Sequence, residues 1–130
     1  MSSFDETPRA DLGIAVAAGL LGAAGVTLAA VAAHRVPTPA MASAAQMLMV
    51  HAVAVLVISA WAVRSANAAG WWRTAARVML LGVALFSGDI ALRGFEMGQL
   101  FPRAAPVGGS LTIFSWVLVS IAAAIEWRRS

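Results

Sequence analysis

Few residues of this chain could do chemistry. Its two histidines are His34 and His51. Asp89 and Arg93 stand four residues apart in an otherwise apolar stretch, and Gln46 and Ser87 complete the set. A neutral imidazole donates one hydrogen bond and accepts another, and it can ligate a metal or a haem iron. A carboxylate can bind a cation or pass a proton to an imidazole. On a helix, the spacing of Asp89 and Arg93 puts both on one face, where they can pair. The bland readings of the same residues are an ion pair that snorkels to an interface and an interhelical hydrogen bond from His51 to Ser87 or Asp89.

What positions these groups is a set of four apolar runs, over residues 12–33, 44–63, 74–92 and 108–125. About 20 apolar residues make a helix long enough for the roughly 30 Å hydrocarbon core of a bilayer. Hydrophobic residues are 61% of the chain and charged residues 12%. A soluble helical protein needs a polar stripe along every helix, and the middles of these runs have none. The expected fold is therefore all-α: an integral membrane four-helix bundle over residues 12–127. A polar N-terminal tail (1–11) and a basic C-terminal tail (128–130) flank it.

Charge then orients the bundle. Arg9, Arg64, Arg73, Arg77, Arg128 and Arg129 fall on one side, and Arg35, Arg93 and Arg103 on the other. The richer side is expected to be cytoplasmic, and with it both termini. Trp61, Trp71, Trp72 and Trp127 gather on that side, where indoles suit the headgroup boundary. In this topology His34, Gln46, His51, Ser87, Asp89 and Arg93 all belong to the opposite half of the membrane. They form one candidate polar cluster, and polar groups at such depth are costly enough to need a reason.

Glycines mark the expected close contacts. Gly19, Gly22 and Gly25 make the first helix suitable for tight packing, inside the bundle or against a second copy. Gly88 beside Ser87 could admit a neighbour or a kink. Gly108 and Gly109 after Pro106 could seat the fourth helix closely. Ser43 reads as the N-cap of the second helix, and Ser115 and Ser120 are expected to bond to their own helix backbone.

Several classes are excluded. The chain has no cysteine, so thiolate chemistry and disulfides are absent. The isoelectric point is near 11.5, yet the arginines are scattered at helix ends, and nucleic-acid binding needs them on one face. There is no nucleophile elbow and no phosphate-cradling loop after a strand. Two histidines fall short of a metal-site pattern.

Several motifs in register resemble a known family. They are Ala33-His34 ending the first run, His51-Ala52 early in the second, Phe86-Ser87-Gly88 in the third, and Pro106-Val107-Gly108-Gly109 followed by Trp116 in the fourth. Together they resemble the YgdD-like small inner-membrane proteins of bacteria, the domain of unknown function 423 family, over roughly residues 12–126. Ala32 and Val50 stand where that family usually has Gly and an aromatic. Asp89 replaces a small residue, and Arg93 is also unusual there. The resemblance implies a four-helix protein of the bacterial inner membrane and brings no activity with it.

The expected function is non-catalytic: an accessory, scaffold or assembly subunit of a larger membrane complex. Its partners are the lipid bilayer and other membrane subunits or a second copy, not nucleic acid. The alternatives are a small transporter or ion-conducting oligomer using the polar cluster, or a cofactor holder. No cofactor or metal is expected; the holder alternative would place a tetrapyrrole or metal on His51, with or without His34.

Overall fold

The computed structural model describes residues 9–129. It contains four helices: α1 (Arg9–His34), α2 (Pro39–Arg64), α3 (Ala69–Gly94) and α4 (Ala104–Arg129). Each has 26 residues, or about 39 Å of helix. All four are long and apolar enough to cross a membrane.

The helices outrun the apolar runs that announce them. The tail expected over residues 1–11 falls outside the described residues up to Pro8, and Arg9 already opens α1. Arg128 and Arg129 form the last turn of α4, and Ser130 lies outside the described residues. The N-cap of α2 is Thr38, not Ser43. Thr38 Oγ1 accepts the Met41 N–H at 3.3 Å, and Pro39 occupies the first turn. Proline is tolerated there because the amide hydrogen it lacks would have had no helical partner.

Sequence neighbours pack together, α1 on α2, α2 on α3 and α3 on α4, with a lesser contact of α1 on α3. Alanine and glycine line the seams. A Cβ on Gly82 would stand 2.7 Å from the Thr112 backbone nitrogen and 2.9 Å from the Gly108 carbonyl oxygen. A Cβ on Gly108 would collide with the Phe86 nitrogen and the Gly82 carbonyl. Here α3 and α4 touch backbone to backbone, the close approach that small residues permit in lipid. Gly25 does the same for α1 on α2, against Leu48 and Met49.

Two apolar layers fill the interior. One, toward the α2–α3 connection, includes Ile14, Val55, Ile58, Trp72, Met79 and Leu118. The other, toward the α3–α4 connection, includes Leu28, Met41, Leu48 and Val83. Outward faces are as apolar as the core: Val16, Leu20, Val53, Leu81, Ile113 and Phe114 are all exposed. In water such a surface would aggregate; against lipid tails it needs no cover.

The longest connection, residues 95–103, begins with a Schellman turn. The Met97 N–H reaches the Leu92 carbonyl and the Glu96 N–H reaches that of Arg93. This motif puts one residue in the left-handed region, usually glycine. Here it is Glu96, at φ 58°. Left-handed backbone costs an L-residue about 1–2 kcal/mol. Glu96→Gly is therefore expected to stabilise the protein by about 1 kcal/mol, read as a later midpoint in a denaturant titration in detergent. An earlier midpoint would mean that the Glu96 side chain itself holds the turn.

Candidate functional site

The residues expected to form one polar cluster occupy three separate places. His51 lies halfway along α2 and is buried. Ser87, Asp89 and Arg93 lie in the last turns of α3. His34 and Gln46 are exposed on the outside of α1 and α2. The depth of His51 follows from α2 beginning at Pro39: the extra turn above Ala44 carries the imidazole to mid-helix.

The partner of His51 is neither Ser87 nor Asp89; it is Trp116, halfway along α4. The Trp116 Nε1–H points at His51 Nε2 across 3.3 Å. The two rings meet edge to face, with centroids 6.1 Å apart. An indole nitrogen only donates, so Nε2 must accept. The proton of the neutral ring then sits on Nδ1, which donates to the Met47 carbonyl at 2.8 Å. One neighbour fixes the tautomer and the other agrees with it. Both ring nitrogens are occupied, so a metal or haem iron would have to break one of these bonds. Among the described residues, no group of three or more His, Asp or Glu side chains could hold a metal ion.

Ser87 donates its hydroxyl to the Ala44 carbonyl at 3.0 Å and so ties α3 to α2. Asp89 is fully buried. Its Oδ2 accepts from Arg93 Nε at 2.9 Å, and its Oδ1 accepts the Leu100 N–H at 2.9 Å. The Ala105 N–H, in the first turn of α4, also points to it. Arg93 Nη2 reaches on to Gln99 Oε1 at 2.9 Å. One carboxylate thus gathers the end of α3, the middle of the 95–103 connection and the start of α4. Every one of these contacts serves the fold. The Arg93 side chain is 52% exposed, so the charge balancing Asp89 reaches the surface, as snorkelling allows.

Two further ties lie at the opposite end. Asp11, 2% exposed, takes a bidentate pair from Arg73, with Nε at 2.8 Å and Nη2 at 2.9 Å. It joins α1 to α3. Ser65 donates to Glu126 and accepts the Ala68 N–H, joining the α2–α3 connection to α4. In the sequence alone, Asp11 reads as tail and Arg73 as a topology charge. The signal lay in their matching ends: an acid at the start of one run and a base beside the start of another that enters from the same side.

The glycines divide in the same way. Gly25 and Gly108 sit in tight seams. Gly22, Gly88 and Gly109 make ordinary contacts at 3.5–3.6 Å, and Gly19 faces open space. Gly82 is a seam glycine that is not among the close contacts expected from sequence. Alone among Leu and Val, it carried the cost of an interior helical glycine without a visible return, and that is itself a packing signal. Ser115 and Ser120 bond to the Thr112 and Trp116 carbonyls of their own helix.

The fold and its internal ties define a multi-pass membrane protein whose polar side chains hold helices and connections in place. The chain belongs to the family described as "Protein of unknown function (DUF423)", whose profile matches residues 21–109. It is also similar to a UPF0382 membrane protein of Haemophilus influenzae, with 32% identity over 69 residues. That match covers 53% of each chain, so this chain spans about half the length of the curated relative it matches. No solved structure matches it. The resemblance read from the four motif pieces is thereby borne out. The His51 and Trp116 pieces of that pattern are the two that bond.

Proposed function

We propose that this is a non-catalytic accessory or scaffold subunit of the bacterial inner membrane, with both termini in the cytoplasm. The observation that carries the reading is the use of its polar groups. His51, Ser87 and Asp89 direct their hydrogen bonds to the protein itself, and all three are buried. A reaction or a transport step needs groups with bonding capacity left for a substrate. These groups act as rivets instead.

The outer surface supports the partner half of the reading. Helix α1 is the least buried of the four. Its glycines Gly13 and Gly19 meet nothing within 4 Å. Gly19, Ala23 and Thr27 recur every four residues on its exposed side, a spacing that suits close approach of another membrane helix. Glycine weakens a helix unless closeness is needed. The arginine bias supports the orientation.

The test is purification from native membranes in a mild detergent, followed by native mass measurement. The reading expects the 13.4 kDa chain to travel with other membrane polypeptides, and Gly19→Leu to release it while leaving the bundle folded. A chain that always travels alone overturns the proposal.

A further inference from the structure

Helices α2 and α4 each pack on α3. Between their ends, beside the α2–α3 connection, lies a cavity of about 220 Å³. Trp61 of α2 and Trp72 of α3 stack in its wall, with centroids 5.9 Å apart and planes 19° from parallel. Ala123, Glu126 and Trp127 of α4 complete it. Three indoles and one carboxylate around one space suit a cation, because aromatic faces attract positive charge and the carboxylate adds its own pull.

The Glu126 carboxylate keeps its charge but has no bonding site to spare. Ser65 donates its hydroxyl to it, and the N–H groups of Ala66, Asn67 and Ala68 also point to it. These donors match the roughly four lone-pair sites of a carboxylate. All of them are neutral, so the negative charge is not cancelled. Among the described residues the ion pairs are Arg73–Asp11 and Arg93–Asp89, and no arginine pairs with Glu126. The fitting ligand therefore supplies positive charge without needing an acceptor. A quaternary ammonium does so: it has no N–H, and its methyl groups lie well on indole faces. A primary ammonium would bring three N–H donors to an acceptor already filled.

The surroundings narrow the choice. Arg64 ends α2, and Arg128 and Arg129 end α4; all three are exposed. They oppose a simple cation and favour one that carries its own phosphate. One turn toward the middle of the membrane, Val57 and Val119 continue the faces of Trp61 and Ala123, an apolar path for an acyl chain. We propose that the Trp61–Trp72–Glu126–Trp127 cavity binds the quaternary ammonium headgroup of a choline-type phospholipid. The site goes beyond the accessory-subunit reading and does not depend on it.

The test is native mass spectrometry of the full chain released from detergent with equal amounts of choline and ethanolamine phospholipids of identical acyl chains. The two lipids have the same net charge, so the cavity alone distinguishes them. The wild type should retain one choline lipid with about fivefold preference. Trp61→Leu should bring the two lipids to parity, and Glu126→Gln should lower choline-lipid occupancy about tenfold. Equal retention of both lipids by the wild type overturns the proposal. So does a choline preference unchanged in Trp61→Leu. Displacement of the lipid by tetramethylammonium at the lipid's own concentration would make the ligand a water-borne cation and overturn the lipid assignment. If Glu126→Gln does not fold, the wild-type preference and Trp61→Leu decide.

Discussion

Gly108→Ala is expected to destabilise the bundle by about 2–3 kcal/mol, while Gly109→Ala, one residue on, leaves it unchanged or gains up to about 1 kcal/mol. Both residues belong to the same Gly-Gly pair and look equivalent in sequence. In the fold, a Cβ at position 108 runs into the Phe86 nitrogen and the Gly82 carbonyl, which are backbone atoms of α3 and cannot rotate aside. The helices must separate, and the seam loses its dispersion contacts along its length. A Cβ at position 109 meets only the Phe86 ring, at 3.6 Å, which is ordinary contact. There the substitution simply replaces glycine by a better helix former. Denaturant titration of the two variants in the same detergent measures the difference. Equal midpoints would show that α3 and α4 do not cross at this point.

The second large effect is expected at Asp89. Asp89→Ala removes the acceptor for Arg93, for Leu100 and for the start of α4 at once. Arg93 finds water easily, since its side chain is half exposed. The amide hydrogens of Leu100 and Ala105 lose a charged acceptor, and a hydrogen bond to a charged group is worth about 1.5–3 kcal/mol. The total expected loss is about 3 kcal/mol. Its location identifies the mechanism. Amide exchange should quicken across residues 95–105 and stay unchanged around Asp11 and Arg73. Arg93→Ala should cost about 1 kcal/mol or less, because that pairing is open to solvent. If the two variants were equally mild, Asp89 would be a surface charge and not the anchor of the connection.

Much of this architecture is legible without coordinates, and the limits have physical causes. The four apolar runs report the lipid solvent directly, so the number of helices and their order follow from hydropathy. Helix ends are less visible. A run ends where polarity begins, but residues 39–43 remain helical beyond the apolar core because Thr38 caps them and Pro39 fits the first turn. That single shift explains why His51, counted from Ala44, looks near the membrane edge and is halfway down α2.

The Asp89–Arg93 spacing is local and could be read. The Leu100 and Ala105 amides could not, because they arrive through the path of a connection. His51 and Trp116 are 65 residues apart. Both stood out as motif pieces, but which way each helix turns its face is decided by packing. The same rotation decides that Gly25 and not Gly22 meets α2, and that Gly82, unremarked in its Leu/Val run, faces α4.

The interior is expected to be dry around Ser87 and Ser115, which are fully buried and give their hydroxyls to backbone carbonyls. The absence of native cysteine makes it directly measurable. Single-cysteine variants at Ser87 and Ser115, both fully buried, are exposed to a water-soluble thiol reagent in membranes opened on both sides, with Met97→Cys on the exposed connection as the positive control. A dry interior predicts rapid labelling at position 97 and none at 87 or 115. Labelling of Ser115→Cys at a rate approaching that of Met97→Cys would reveal an aqueous route through the helices and contradict the claim.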